Sequence, residues 1–130
     1  MTMNDPLASA LSKILNAEKV SKKEVLIATS SKLIKNVLKI IQTEGYIGEV
    51  IETERSSGNL LNVALLGNIN KCGAIKPRYA IKLDEYKKFE SRYLPAEGMG
   101  ILILTTSKGI MNHEDAKKKK LGGRLLAYCY

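Results

Sequence analysis

The sequence holds a single histidine, His113, and two cysteines, Cys72 and Cys129, set far apart in 130 residues. A zinc cage of Cys and His needs about four ligands at close spacing, so that class of site is excluded and no cofactor is expected. The two thiols sit among strand-forming residues and read as reduced, buried packing groups. Long apolar runs are missing too. The longest aliphatic stretch, Ile101 to Leu104, falls far short of the roughly 20 residues that span a bilayer. Met1 to Pro6 shows no basic region followed by an apolar stretch, so no secretory signal is expected. The chain is therefore expected in the cytoplasm, without membrane contact. Internal repeats and low-complexity blocks are absent.

Acidic residues are scarce relative to basic ones: 13 Asp and Glu face 21 Lys and Arg, giving a formal charge of +8. Such a surplus favours a polyanionic partner, and with a membrane set aside, nucleic acid remains. The charge is unevenly spread. Residues 1–67 carry 8 basic and 7 acidic side chains, whereas residues 68–130 carry 13 and 6. The electrostatic surface belongs mainly to the second half, although residues 1–39 hold 7 basic groups against 3 acidic. The acidic counterweight lies in residues 40–67.

Apolar residues make up 45% of the chain and fall in short periodic runs, enough to core one compact domain or two small lobes. Asp5 and Pro6 open a helix whose apolar positions are Leu7, Ala10, Leu11, Ile14 and Leu15, ending near Ala17. Lys19, Lys22 and Lys23 then lead to a strand, Val25 to Thr29. Ser30 and Ser31 cap a second helix with the stripe Leu33, Ile34, Val37, Leu38 and Ile41, stopped by Gly45. Two strands follow, Tyr46 to Glu54 and Leu60 to Leu66, around the turn Ser56 to Asn59.

Past a border near Gly67 and Asn68 the style changes. Short strands are expected at Ile69 to Ile75 and Arg78 to Lys82, then a short helix capped by Asp84 and ended by Pro95. Tyr86, Phe89 and Tyr93 recur at helical spacing on it and read as core rather than a base-stacking platform. Ile101 to Thr105 is an apolar strand covered on both faces. It turns through Thr106 to Gly109 into Ile110 and Met111. Asn112 caps a last helix with Glu114 and Asp115 at its start and Lys117 to Lys120 at its end, which suits the helix dipole. Gly122 and Gly123 lead to a final strand, Arg124 to Tyr130. The fold class is α+β with two small lobes: an N-terminal α-β-α-β-β lobe over 1–67, and a C-terminal lobe over 68–130 of mainly antiparallel β with short helices.

Thr105, Thr106, Ser107, Lys108 and Gly109 present three hydroxyls and an ammonium on a strand and its turn. Hydroxyls reach base edges, ribose and phosphate alike, and Gly109 lets a phosphate or ribose come close to main-chain N–H groups. By pattern alone, a hydroxyl-rich turn that satisfies its own backbone is the stronger reading. The string GILILTTSKGIMNHEDAK, Gly100 to Lys117, shifts that balance. It fills the pattern of a small or acidic residue, an aliphatic strand, hydroxyls, two spacers, glycine, two aliphatics, four variable positions, a small residue and a basic one. With DPLA at Asp5 to Ala8, NA at Asn16 and Ala17, and the GGRLLAY ending, it resembles the universal small-subunit ribosomal protein eight family over nearly the whole chain, in its archaeal and eukaryotic-like branch.

The resemblance implies a non-enzymatic structural protein that binds helical ribosomal RNA of the central domain and supports subunit assembly. Neighbouring ribosomal proteins are implied as partners, a monomer is expected when the chain is free, and messenger RNA stays open as a second target. It also implies that Thr105, Thr106 and Ser107 make the shape-sensitive contacts while Lys108 pairs with phosphate. Ser31 and Lys32 are similar to the family's second RNA-touching element, at a helix start whose N–H groups suit phosphate. Arg78 and Tyr79 stand where the family often has an Arg and a nearby Tyr. Arg124 departs from bacterial members, which often carry Glu there, and its guanidinium suits phosphate directly. A rival reading takes Ser107 as a nucleophile with Lys108 as its base. Adjacent turn residues usually point apart, which weighs against it.

Overall fold

The computed structural model describes residues 6–28, 31–56, 58–96 and 98–130. Asp5, Thr29, Ser30 and Ser57, expected as cap, strand end, cap and turn residue, lie outside the described residues. The molecule is α+β and forms two compact units, Met1–Asn70 and Lys71–Tyr130.

The first unit runs α1 (Pro6–Lys19), β1 (Glu24–Ala28), α2 (Lys32–Thr43), β2 (Ile47–Thr53) and β3 (Leu60–Leu65). Its strands make an antiparallel sheet in the order β1-β3-β2. Leu7, Ala10, Leu11, Ile14 and Ala17 on α1 are buried, as are Ile34, Val37, Leu38 and Ile41 on α2, because a 3.6-residue period stacks them on one stripe. The strands follow a period of two, so Ile27, Leu61, Val63 and Leu65 turn into the same core. Each such side chain contributes about 1.5 to 3 kcal/mol on burial. Gly45, at φ +84°, ends α2, where Tyr46 N–H bonds the Ile41 carbonyl at 3.2 Å. The Glu18 carboxylate fastens the segment after β3 by accepting from the N–H groups of Gly67 (3.3 Å) and Ile69 (3.1 Å).

The second unit contains β4 (Cys72–Ala74), β5 (Ala80–Ile81), α3 (Tyr86–Tyr93), β6 (Ile101–Thr106), β7 (Gly109–Asn112), α4 (His113–Lys118) and β8 (Gly123–Cys129). The sheet order is β4-β8-β6-β7, and β5 also pairs with β8. Tyr86 and Phe89 of α3 join Leu102, Leu104, Met111, Ala116 and Leu125 in one core, so the aromatic stripe is packing. Ile101 to Leu104 are all buried. Cys72 and Cys129 are buried cross-strand partners.

Asp84 does not cap α3. It lies inside a 3-10 turn, Leu83–Glu85, and the Lys82 N–H donates instead to the Glu85 carboxylate at 3.0 Å, because the chain tightens for one turn before the α-helix begins. Asn112 does cap α4, its side chain accepting from Asp115 N–H at 2.8 Å. The strands expected over Ile69 to Ile75 and Arg78 to Lys82 shrink to three and two residues. Both pair with opposite ends of β8, and backbone bonds from Lys71, Ile75 and Tyr79 to the same segment extend the contact beyond the regular ladder.

One polar cluster ties this core together. The register Ile103↔Asn112 would set His113 opposite Leu102 had β7 continued. The imidazole takes over that strand's role, with Nδ1 accepting from Leu102 N–H at 3.0 Å. Nε2 therefore carries the proton and faces the buried Glu90 carboxylate at 3.2 Å, which also pairs with the Lys117 ammonium. Burial holds His113 below the usual histidine pKa, against the raising influence of Glu90.

Candidate nucleic-acid interface

The hydroxyl-rich turn joins β6 to β7, and its geometry separates three residues that look alike in the sequence. Thr106 Oγ1 donates to the Gly109 carbonyl at 2.9 Å and accepts from Lys108 N–H at 3.1 Å. Its hydroxyl is thus engaged in bracing the turn. Gly109 stands at φ +110°, where a side chain would be strained. Ser107 and Lys108 are exposed at the tip, and Thr105 is half-buried in the centre of the sheet.

Successive strand residues face opposite ways, so Thr105 points away from the face that Leu102 and Leu104 share with α3 and α4. Its cross-strand partners are Ile110 on β7 and Arg124 on β8, and Arg124 pairs in turn with Ala80 on β5. A row therefore runs across four strands, Ile110, Thr105, Arg124, Ala80, with Arg124 exposed. Close approach at this end depends on the paired glycines. A Cβ on Gly123 would stand 2.0 Å from the Thr105 carbonyl oxygen, and one on Gly122 would stand 2.6 Å from that of Ile81.

Arg78 and Tyr79 lie just before β5, and the Tyr79 carbonyl accepts from Leu125 N–H at 2.9 Å. That bond places the pair beside Arg124. The Tyr79 ring, 36% exposed, stands 5.8 Å from Phe89 and 5.6 Å from the Arg92 guanidinium. Tyr79 is thus half anchor and half surface, with a cation already seated against its ring.

The structure brings Arg78, Tyr79, Thr105 to Gly109 and Arg124 together in the second unit. Ser31 and Lys32 belong to the first unit. There Ser31 takes the extended N-cap conformation of α2, its carbonyl accepts from Lys35 N–H at 3.3 Å, and Lys32 is exposed in the first turn. Arg92 and Lys88 on α3, absent from the residues expected from sequence, lie beside Tyr79 and Phe89. Lys88 Nζ lies 5.5 Å from the Phe89 ring centre and Arg92 lies over both Phe89 and Tyr79. Their spacing of four on the exposed side of an aromatic stripe was the available signal.

These groups suit a folded polynucleotide. Guanidinium and ammonium groups bond phosphate, hydroxyls bond ribose and base edges, and a partly exposed tyrosine offers a stacking surface. No cluster of three or more His, Cys, Asp or Glu able to hold a metal is found among the described residues. His113, the single histidine, is 2% exposed and committed to Leu102 and Glu90, so it does not serve Ser107. No helix among the described residues is long and apolar enough to cross a membrane. The family model for ribosomal protein S8 matches residues 5–130.

Proposed function

This chain belongs to the ribosomal protein S8 family, a small-subunit protein that binds ribosomal RNA, and on that footing we propose that it binds helical RNA of the central domain directly, through the β6–β7 end of its second unit, and supports subunit assembly. The observation that carries the reading is the row Thr105 and Arg124 beside the braced turn. A hydroxyl and a guanidinium rooted on adjacent strands suit a rigid shape, because the sheet fixes the spacing of the backbones that carry them. Ser107 bonds ribose or base, Lys108 and Arg124 bond phosphate, and Thr106 holds the turn rather than the RNA. Tyr79, backed by Phe89 and Arg92, gives a stacking contact at the border. Ser31 and Lys32 form a secondary phosphate contact at the N-terminus of α2.

The test compares two single substitutions on purified protein and an rRNA fragment of the central domain. Ser107→Ala is expected to weaken specific binding by about 3- to 10-fold, the value of one hydrogen bond. Lys119→Ala, beyond the end of α4, is expected to cost less. Equal losses would reduce the interaction to charge attraction. In cells, stoichiometric co-sedimentation with small subunits supports the structural role, whereas enrichment of one transcript without ribosomes would assign the surface to messenger RNA.

A further inference from the structure

The three-stranded sheet of the first unit has a second face that none of the core residues above occupy. Register gives its middle row as Leu26, Asn62 and Ile51, the first and last being 54% and 50% exposed. Leu60 and Ala64 lie two residues to either side of Asn62 on the same face, both partly exposed. Leu66, 53% exposed, reaches over Gly48 beside Ala64, since a Cβ at Gly48 would stand 3.2 Å from both side chains. An antiparallel sheet with one face on a core normally turns polar residues to water on the other. Here the outward residues are mostly aliphatic, and a contiguous exposed patch of that kind marks an interaction surface.

Its charge points to the occupant. The three strand rows of this face contain no lysine or arginine, in a protein of charge +8, so the surface lacks what phosphate contact requires. Its rim is acidic: Glu24 pairs with Ala64 in register, and Glu49 is exposed where β2 bulges between Ile47 and Val50. Glu52 turns to the opposite face, where it pairs with Lys35 of α2, so Glu24 and Glu49 carry the charge of this rim. Asn62 donates from Nδ2 to the Glu24 carboxylate at 3.3 Å, while its Oδ1 is buried without a partner.

We propose that this face docks a second protein of the ribosomal particle, through a segment of that protein in which apolar residues are flanked by lysine or arginine. A protein bound to the same polyanion carries cationic surplus for the same reason as this one, so the acidic rim meets a complementary partner. The inference rests on the ribosomal assignment but not on the RNA contacts proposed for the second unit.

Two measurements test it. Ile51 is replaced by the photo-crosslinking residue p-benzoylphenylalanine in cells, and the crosslinked peptide is sequenced from small subunits and from the ribosome-free fraction. A crosslink to another ribosomal protein, within a segment carrying both apolar and cationic residues, is the expected result. A crosslink to RNA, to a second copy of this chain or to no polypeptide overturns the proposal. The double variant Leu26→Thr, Ile51→Thr keeps strand-forming residues at exposed positions and so keeps the fold. It is expected to bind the rRNA fragment within about twofold of the parent while its retention on small subunits falls about tenfold, the loss from removing two apolar contacts. Equal losses in both assays, or none in either, would sink the proposal. Failure of the parent to bind the rRNA fragment defeats the reading of the second unit instead and leaves the crosslink as the judge of this one.

Discussion

Lowering the pH from 7.5 to 5 should destabilise the protein through His113, because burial disfavours the charged ring in the folded state. In the folded state Nδ1 accepts from Leu102 N–H, so a proton can enter only if that bond breaks, and the ring is 2% exposed. Glu90 on α3 and Glu114 on α4 favour the charged form, while Lys117 on α4 opposes it, and burial dominates to depress the pKa. The unfolded histidine takes a proton near pH 6.5, so the unfolded state binds more protons than the folded one as the pH falls through that value. Stability is thus fully present above about pH 7 and drains away below 6.5 until the folded ring also titrates.

Were the folded ring never protonated, linkage would set the loss at pH 5 to about 2 kcal/mol, which is the ceiling on the effect. Other carboxylates titrate over part of the same range, so the measurement is a difference. Urea unfolding of the parent and of His113→Gln, a neutral side chain that retains an acceptor and a donor, is followed at pH 7.5, 6.5, 5.5 and 5.0. The parent should be the more stable at pH 7.5, with the gap narrowing toward pH 5 by no more than about 2 kcal/mol. Parallel profiles, or a gap that widens on acidification, would refute the account of the buried ring.

Two further outcomes concern the RNA-facing end. Gly123→Ala should cost on the order of 3 kcal/mol in chemical unfolding, because backbone must move away from a Cβ placed 2.0 Å from the Thr105 oxygen, whereas Gly109→Ala, with φ +110° but nothing within 4 Å, should cost about 1 kcal/mol. Similar costs would show that close strand approach is not what the paired glycines provide. Lys108→Ala and Arg124→Ala should each flatten the plot of log affinity for rRNA against log salt by about one unit of slope, and an unchanged slope would remove either residue from the phosphate contacts.

Much of this architecture is readable from periodicity. The stripes of α1 and α2, where only Leu15 and Leu33 are no more than half-buried, and the Asn112 cap each rest on local chemistry, and local chemistry survives into the fold. Where the reading failed, a distant partner decided. Asp84 has the composition of a cap, but a 3-10 turn capped at Lys82 intervenes and Glu85 stands at the N-cap of α3. β4 and β5 are short because β8 is their sole ladder partner among the described residues, a fact no window of their own sequence contains. Glu90 and His113 lie 23 positions apart and carry no mutual signal, and Arg92 gains its role only when Tyr79 folds back onto α3. Thr105, Thr106 and Ser107 were legible as a group of hydroxyls, but their division of labour depends on strand alternation and on the turn closing.

The pairing of Arg124 with Thr105 is the sharpest instance, because it depends on a single extra residue. From Ile101↔Cys129 to Ile103↔Ala127, β6 and β8 keep one register, and continued unbroken it would set Thr105 against Leu125 and Thr106 against Arg124. That arrangement turns Leu125 away from the core it shares with Leu104 and drives a guanidinium toward the buried face. A bulge after Ile103 absorbs Leu126, so that Leu104 meets Leu125 and Arg124 meets Thr105 on the opposite face. One inserted residue thereby completes the apolar core and exposes a cation next to a hydroxyl. Deleting Leu126 should therefore cost no more than the loss of one buried leucine, about 2 to 5 kcal/mol, since the ladder then runs unbroken from Ile103–Ala127 into Leu104–Leu125 and Thr105–Arg124, with every residue on its present face. Thermal melting by circular dichroism reads the outcome, and a deletion variant that melts far below Leu126→Ala would mean that Leu126 is not the inserted residue on which the facing of Arg124 depends.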